Sequence, residues 1–139
     1  MAYELVWEPE GVILTFSGNV SAREFIQSVE NVQSDFRFDD MHYVINDFTL
    51  ISSHELSAEV MTEAAVLRFG AYASNPNCRI VYVTTDEALA LLSKRVPAEA
   101  GINSYEIEVC ATLSAARDWV ASQPQLHNMS NVMGFRLDS

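Results

Sequence analysis

Polar side chains gather at two points of the sequence where a hydrophobic strand is predicted to end. Because the carboxyl ends of parallel strands meet at one edge of a sheet, we expect the two groups to form one polar pocket or switch site. Serine hydroxyls at a helix start could carry a phosphate that meets free backbone N–H groups. The first group is Asp47, Thr49, Ser52 and Ser53, and the second is Thr85 and Asp86.

Each of these residues also has a structural explanation. Ser52 and Glu55 have the spacing of a helix capping box, so capping alone accounts for the serine. Asp47 is placed to bond backbone N–H groups of its own turn. Asp86 is placed to cap the helix that follows. Both interpretations, pocket and local structure, stay open on the sequence alone.

Recognisable catalytic and metal-binding patterns are absent from the sequence. His42, His54 and His127 lack metal-ligand spacing, and the chain has neither a G-x-S-x-G motif nor a phosphate-binding or dinucleotide-binding glycine loop. Cys78 and Cys110 are predicted to be reduced, buried thiols. We therefore predict that the protein is not an enzyme and uses no cofactor or metal. An enzyme that uses Asp47, Ser52 and His54 is the weakest of three hypotheses.

Charge and composition restrict the partners and the compartment. The 139 residues carry a formal net charge of −11, which disfavours nucleic acid and anionic membrane surfaces as partners. No apolar stretch approaches the ~20 residues of a membrane-spanning helix, so we predict no integral membrane association. The N-terminus lacks the basic start and apolar run of a signal peptide, which indicates the cytoplasm.

Hydrophobic periodicity predicts five strands and four helices. A turn at Pro9–Gly11 predicts a hairpin between the first two strands. The second strand is expected to end at Ser17–Asn19, and the third helix to stop or kink at Pro97. The predicted strands are 3–8, 12–16, 42–48, 79–84 and 105–110. The predicted helices begin at Ser21 (a capping box with Glu24), near Ser53, after Thr85–Asp86 and at Thr112.

The first two helices are predicted to be amphipathic. The core stripe of the first helix is Phe25, Val29, Val32 and Phe36. The second helix is expected to run from about Ser53 to Ser74, with Met61 beside or outside its stripe. That stripe is Leu56, Val60, Ala64, Leu67 and Ala71. A separate face of the helix is acidic and either is solvated or faces a basic partner; its residues are Glu55, Glu59 and Glu63.

The order of elements, ββ-αβ-αβ-αβ-α, predicts an α/β fold. We expect a single domain over 3–122, with a mixed, mostly parallel five-stranded sheet, an N-terminal antiparallel hairpin and about four helices. Residues 123–139 are expected to form a tail that packs on the domain or on a dimer partner.

The sequence contains more large apolar side chains than one core requires. Three lie beside the core stripe of the second helix and three lie in the tail, and together they form a candidate apolar interface. Intramolecular cover, a homodimer contact and an apolar ligand pocket all remain open as explanations. The six residues are Val66, Phe69, Tyr72, Met129, Met133 and Phe135.

Four stretches of the chain resemble the SpoIIAA-like proteins, relatives of the STAS domain of anti-sigma-factor antagonists. They are 7–18, 43–48, 75–86 and 112–120. The resemblance spans residues from about 3 to 121. It implies a SpoIIAA-like (STAS-like) domain that is often dimeric or partner-binding and has no established catalytic activity. In STAS antagonists a serine at the start of the helix after this strand is phosphorylated, and Ser52 or Ser53 lies at that place without the neighbouring aspartate and glycines of the family pattern.

The sequence therefore predicts a non-enzymatic regulatory or protein-interaction module, which we expect to be a homodimer and to bind a protein partner. The alternative is a carrier or sensor that binds a small apolar or lipid-like ligand in a pocket under the second and third helices.

Overall fold

A five-stranded sheet forms the centre of the computed structural model, which describes residues 3–99 and 105–123. The strands follow one another in space in the same order as in the chain. β1 and β2 form the predicted antiparallel hairpin, and β3, β4 and β5 continue the sheet in parallel. The strands are β1 Tyr3–Trp7, β2 Gly11–Val20, β3 Tyr43–His54, β4 Arg79–Val83 and β5 Glu106–Cys110.

Within residues 3–99 and 105–123, four α-helices and one 3-10 helix connect and follow the strands. They are α1 Ala22–Ser34, the 3-10 helix Phe36–Asp40, α2 Ala58–Tyr72, α3 Glu87–Glu99 and α4 Leu113–Ser122. The predicted capping box of Ser21 and Glu24 is present at α1, and the Thr112 side chain accepts from the backbone N–H of Ala115 at α4. The fold class predicted from the sequence is confirmed. The predicted domain boundary after residue 122 stays a prediction, because residues from 124 onward lie outside the described part of the chain.

The sheet separates a large core from a small one. On one face, buried side chains of β2, β3 and β4 meet α1, α2 and α3 around an aromatic cluster in which the Phe48 ring lies 5.8 Å from Tyr82 and 4.8 Å from Phe16. On the other face, Ile45 and Val81 pack with Ala116 of α4. This division follows from the alternation of side chains along each strand.

The two central strands are longer than the sequence predicted. β2 was expected to end at Phe16, before a turn at Ser17–Asn19, but continues to Val20, and β3 was expected to end at Phe48 but continues to His54. They pair with each other along this extension through two register irregularities, and Gly18 adopts a φ of 66° there, which a glycine tolerates without a Cβ clash. Pairing between the two strands therefore overrides the local turn and cap signals.

The predicted start of the second helix is wrong. Ser52 lies in β3, so it does not form a capping box with Glu55, and α2 begins at Ala58 with the Ser57 side chain accepting from the N–H of Val60. Glu55 instead accepts from the backbone N–H of Ala22 at 3.0 Å, which places its carboxylate at the N-terminus of α1. The predicted acidic face therefore loses its first member.

Three further expectations about the helices differ from the structure. Phe36 belongs to the 3-10 helix and is 86% exposed rather than part of the α1 stripe. Met61 and Arg68 are buried on α2, although neither was assigned to its core stripe. α3 continues past Pro97 to Glu99, so the proline does not stop it, and the other expectation, a kink at Pro97, stays a prediction.

Candidate functional site

A polar cleft of about 390 Å³ lies at the carboxyl ends of β3 and β4. It exists because β3 continues to His54, whereas β4 pairs with it only as far as the Asp47–Val83 position. One wall is the extended part of β3 and the other is the loop from β4 into α3. The lining residues are Phe48, Thr49, Ile51, Ser52, Ser53, His54, Thr84, Thr85 and Asp86.

Five of the six predicted polar-site residues line this cleft. The sixth, Asp47, is buried and is not among the lining residues. Its Oδ1 accepts from the backbone N–H of Thr49 at 2.9 Å and from the Thr49 hydroxyl at 2.7 Å. The Asp47 carboxylate is therefore engaged within its own strand, as the local interpretation of this residue required.

His54 closes one end of the cleft through two contacts. Its Nδ1 accepts from the backbone N–H of Leu56 at 3.0 Å, so Nε2 is left to carry the proton of the neutral ring. That Nε2 lies 3.8 Å from Oδ2 of Asp86 across the cleft. Both ring nitrogens thus have neighbours other than a serine hydroxyl.

Asp86 and Ser53 also have structural partners. The Oδ1 of Asp86 accepts from the backbone N–H of Leu89 at 3.1 Å, which makes it the cap of α3. The Ser53 hydroxyl donates to Oδ1 of Asn19 at 2.7 Å and so ties β3 to β2. Ser52 and Thr85, on opposite walls, are exposed. Thr49 and Ser53 on the β3 wall donate their hydroxyls within the protein, whereas no hydrogen bond among the described residues engages the hydroxyl of Ser52.

The cleft offers hydroxyl groups and one carboxylate without an arranged nucleophile and base. His54 accepts from a backbone N–H rather than from Ser52, and Asp47 does not reach the histidine among the described contacts. Within residues 3–99 and 105–123, no group of three metal-ligating side chains could hold an ion. The hydroxyl groups and the carboxylate of the cleft can hydrogen-bond the polar groups of a partner.

The apolar residues singled out on α2 are at the surface. Val66 and Phe69 are 54% and 60% exposed, and the ring of Tyr72 packs edge-on against Tyr105 at 5.4 Å. The other three members of the predicted apolar interface, Met129, Met133 and Phe135, lie outside the described residues. Leu50, on the β3 extension, is 63% exposed and was missed because the sequence placed it in a loop.

The two cysteines differ in burial. Burial raises the pKa of the Cys78 thiol to about 12. Cys110 is only partly buried, and desolvation raises its pKa as well. Both are free thiols, as the sequence predicted, but only Cys78 belongs to the closed core.

The similarity of this chain to known proteins is found in its three-dimensional structure and not in its sequence. No protein-family model and no curated protein matches the chain. The solved structure of the anti-sigma factor antagonist SpoIIAA in its unphosphorylated form superposes with a TM-score of 0.54 at 14% identity, covering 88% of this chain and all of SpoIIAA. The chain has a SpoIIAA-like fold.

A second SpoIIAA-like structure agrees with this assignment. An uncharacterised protein of the DUF3478 family from Shewanella loihica, which has a SpoIIAA-like fold, gives a TM-score of 0.51 at 13% identity over 86% of this chain and 92% of its own. The fold implied by the sequence resemblance is thereby confirmed. None of the helices in the described part of this SpoIIAA-like chain is long and apolar enough to cross a membrane.

Proposed function

We propose that this SpoIIAA-like protein is a non-enzymatic regulatory module that acts by binding another protein at the polar cleft. The observation that carries the proposal is the extension of β3 beyond its pairing with β4. Opposite residues 49–54, no described strand pairs with β3 on the cleft side. A strand edge of this kind offers backbone donors and acceptors to an extended segment of a partner.

Side chains around the cleft favour a particular kind of segment. Leu50, between the lining residues Thr49 and Ile51 in the chain, is exposed, and the hydroxyls of Thr49, Ser52 and Thr85 can bond a partner's polar groups. Asp86 contributes negative charge, and the chain as a whole carries −11. An extended partner segment with basic residues and one apolar side chain fits these features best.

The similarity to SpoIIAA, which is an anti-sigma factor antagonist, supports a regulatory role by analogy of fold. Within that role we assign Ser52, rather than Ser53, as the candidate switch residue, because Ser53 already donates to Asn19. A phosphate on Ser52 would add charge of about −1.5 to −2 to a cleft that contains Asp86, and would act by changing partner affinity.

A cleft-filling variant tests the proposal. Thr85→Trp places a large side chain on the cleft wall, whereas the control Ser114→Trp places the same side chain on an exposed position of α4, across the sheet. Proteins from the source cell are captured on wild-type protein and both variants, and each retained protein is then titrated as a purified partner. A partner that binds wild type and Ser114→Trp equally but Thr85→Trp at least tenfold more weakly supports the proposal. Equal binding to all three refutes it.

We also propose that the exposed apolar residues of α2 mediate self-association. Val66 and Phe69 are one turn apart and both are exposed. Light scattering coupled to size exclusion at micromolar concentration is expected to give a dimer mass for wild type and for Leu91→Ser, an exposed control on α3. Phe69→Ser should shift the mass to the monomer, and a monomeric wild type would contradict the proposal.

The cytoplasmic location stays a prediction from the sequence. So does the alternative function, a carrier or sensor with a ligand pocket under α2 and α3.

A further inference from the structure

The outer side of α2 carries large apolar side chains, as its inner side does. α2 contacts both α1 and α3, and its side chains Met61 and Ala64 belong to the large core. On the outer side, Val66 and Phe69 are 54% and 60% exposed. A helix that is apolar on all sides is typical of one that is covered on all sides.

The accessible positions of this outer side have the spacing of a helix–helix contact. They follow one another at intervals of four, three and four residues, which is the heptad spacing of two helices that pack along their length. Ala73, the last of them, keeps helical backbone angles, with a φ of −64° and a ψ of −34°, so it stays in line with the others. We call this stripe the outer seam; its residues are Thr62, which is half-buried, and Val66, Phe69 and Ala73, which are exposed.

The spacing of the outer seam is the same in both directions. Its two large side chains, Val66 and Phe69, lie in the middle, and its two small ones, Thr62 and Ala73, lie four residues to either side. In an antiparallel pair of such seams, Val66 of one copy therefore faces Phe69 of the other, and Thr62 faces Ala73. A two-fold axis repeats each contact, so both exposed large side chains of both copies are covered at once.

The charges beside the outer seam favour the antiparallel direction. Glu59 and Glu63 are exposed in the N-terminal half of α2, and the only basic residue of this helix, Arg68, is buried. A parallel pair would bring four carboxylates together without a base on either helix to compensate them. In the antiparallel register the two Glu63 positions are separated along the axis by about 14 Å, which exceeds the screening length of about 8 Å at physiological ionic strength. This separation matters for a chain with a net charge of −11.

We propose that two copies of this chain associate through an antiparallel pair of α2 helices, in which Val66 of each copy packs on Phe69 of the other. The occupant of the exposed face is thus a second copy. This pairing rests on the self-association proposed above and adds the direction and the register of the contact. It does not depend on the polar cleft.

Disulfide cross-linking between introduced cysteines measures the direction. Thr62→Cys and Ala73→Cys are prepared as separate proteins in a Cys110→Ser background, because Cys110 is only partly buried, whereas Cys78 is buried. In the antiparallel pair, position 62 of one copy faces position 73 of the other. Two positions 62, or two positions 73, are about 16 Å apart along the axis, too far for a disulfide, which needs Cβ atoms about 4 Å apart.

The two proteins are mixed in equal amounts, left to exchange subunits and then mildly oxidised. We expect the mixture to give at least ten times more covalent dimer than either protein alone, with one chain of each kind by intact mass spectrometry. Adding Phe69→Ser to both chains should abolish this dimer. Ser114→Cys, an exposed control on α4, should give only the background that random collision produces.

Three results overturn the proposal, and each has a different meaning. Covalent dimers from each protein alone, but not from the mixture, would show a parallel pair, so self-association would stand and its direction would be wrong. A dimer mass in light scattering without any of these cross-links would assign the contact to another surface. A monomer mass would refute the self-association itself, whether another part of the same chain or a different protein covers α2.

Discussion

Gly11→Ala is expected to be strongly destabilising although it adds a single carbon. Gly11 stands opposite Tyr43 in the β2–β3 register, and a Cβ built on it would overlap the Tyr43 ring. The ring has little freedom to move, because its hydroxyl donates to Glu8, whose carboxylate also pairs with Arg117 of α4 at 2.8 Å. Gly11 therefore permits a contact that connects the β1–β2 turn, β3 and α4.

The size of the effect follows from these contacts. Overpacking costs about 1–3 kcal/mol, and a hydrogen bond to a charged group contributes about 1.5–3 kcal/mol. The two costs overlap, since moving the ring relieves the overlap at the expense of the bond. We therefore expect the free energy of unfolding to fall by about 2–4 kcal/mol, which corresponds to a drop of roughly 10 °C in the midpoint for a domain of this size.

Urea unfolding of matched glycine variants measures the effect. The control is Gly70→Ala on the exposed side of α2, where an added Cβ meets no atom within 4 Å. It should stabilise the helix by about 0.5–1 kcal/mol. In a Tyr43→Ala background, Gly11→Ala should lose most of its cost, because the overlapping ring is gone. A Gly11→Ala protein within about 0.5 kcal/mol of wild type, near the usual scatter of surface substitutions, would refute this reasoning.

Three further predictions concern caps, pH and thiols. Ser57→Ala should lower the free energy of unfolding in urea by about 1 kcal/mol because Ser57 caps α2, whereas Ser52→Ala should change it by less than about 0.5 kcal/mol. A larger loss for Ser52→Ala than for Ser57→Ala would contradict the observed start of the helix. Hydrogen bonds from the arginine on α4 and then from a tyrosine hold the pKa of Glu8 below the ordinary 4.5. The free energy of unfolding should therefore fall as the pH drops from about 4.5 through the lowered pKa, and Glu8→Gln should reduce that loss in acid unfolding. An unchanged pH profile in Glu8→Gln would exclude this role. Iodoacetamide at pH 8, followed by mass spectrometry, should label Cys110 of the native protein faster than Cys78, because the buried Cys78 thiol has a pKa of about 12. Equal labelling rates would contradict the burial of Cys78.

Local signals were enough to predict most of the fold. The hairpin turn before Gly11, the capping box at Ser21 and the cap at Thr112 are each determined by residues within a few positions, and all three occur in the structure. The continuous apolar run that begins at Arg79 likewise forms a strand. These elements depend on short-range spacing, which a sequence displays directly.

Long-range pairing explains what the sequence did not reveal. Ser52 and Glu55 have capping-box spacing, but the pairing of β3 with the extended β2 takes Ser52 into a strand. Arg68 was missed for a related reason. It follows Ala64 by four residues on the buried side of α2 but was not assigned to the core stripe, and only the three-dimensional structure shows that the Tyr82 hydroxyl accepts from its guanidinium.

The polar residues of the cleft were predicted to come together because the carboxyl ends of parallel strands meet at one edge. Their roles could not be predicted, since they depend on distant partners such as the contact of Ser53 with Asn19. The exposure of Leu50 similarly depends on where β4 ends.

The identical order of strands in the sheet and in the chain has a consequence for biosynthesis. Each strand emerging from the ribosome finds its neighbour already made and adds to the newest edge, so no strand has to be inserted between two that are already paired. Among the described residues each parallel connection carries one α-helix, joined in the β2–β3 connection by the 3-10 helix, so paired strands are close in sequence and their pairing can be rapid. The nascent chain can therefore assemble its sheet in the direction of translation.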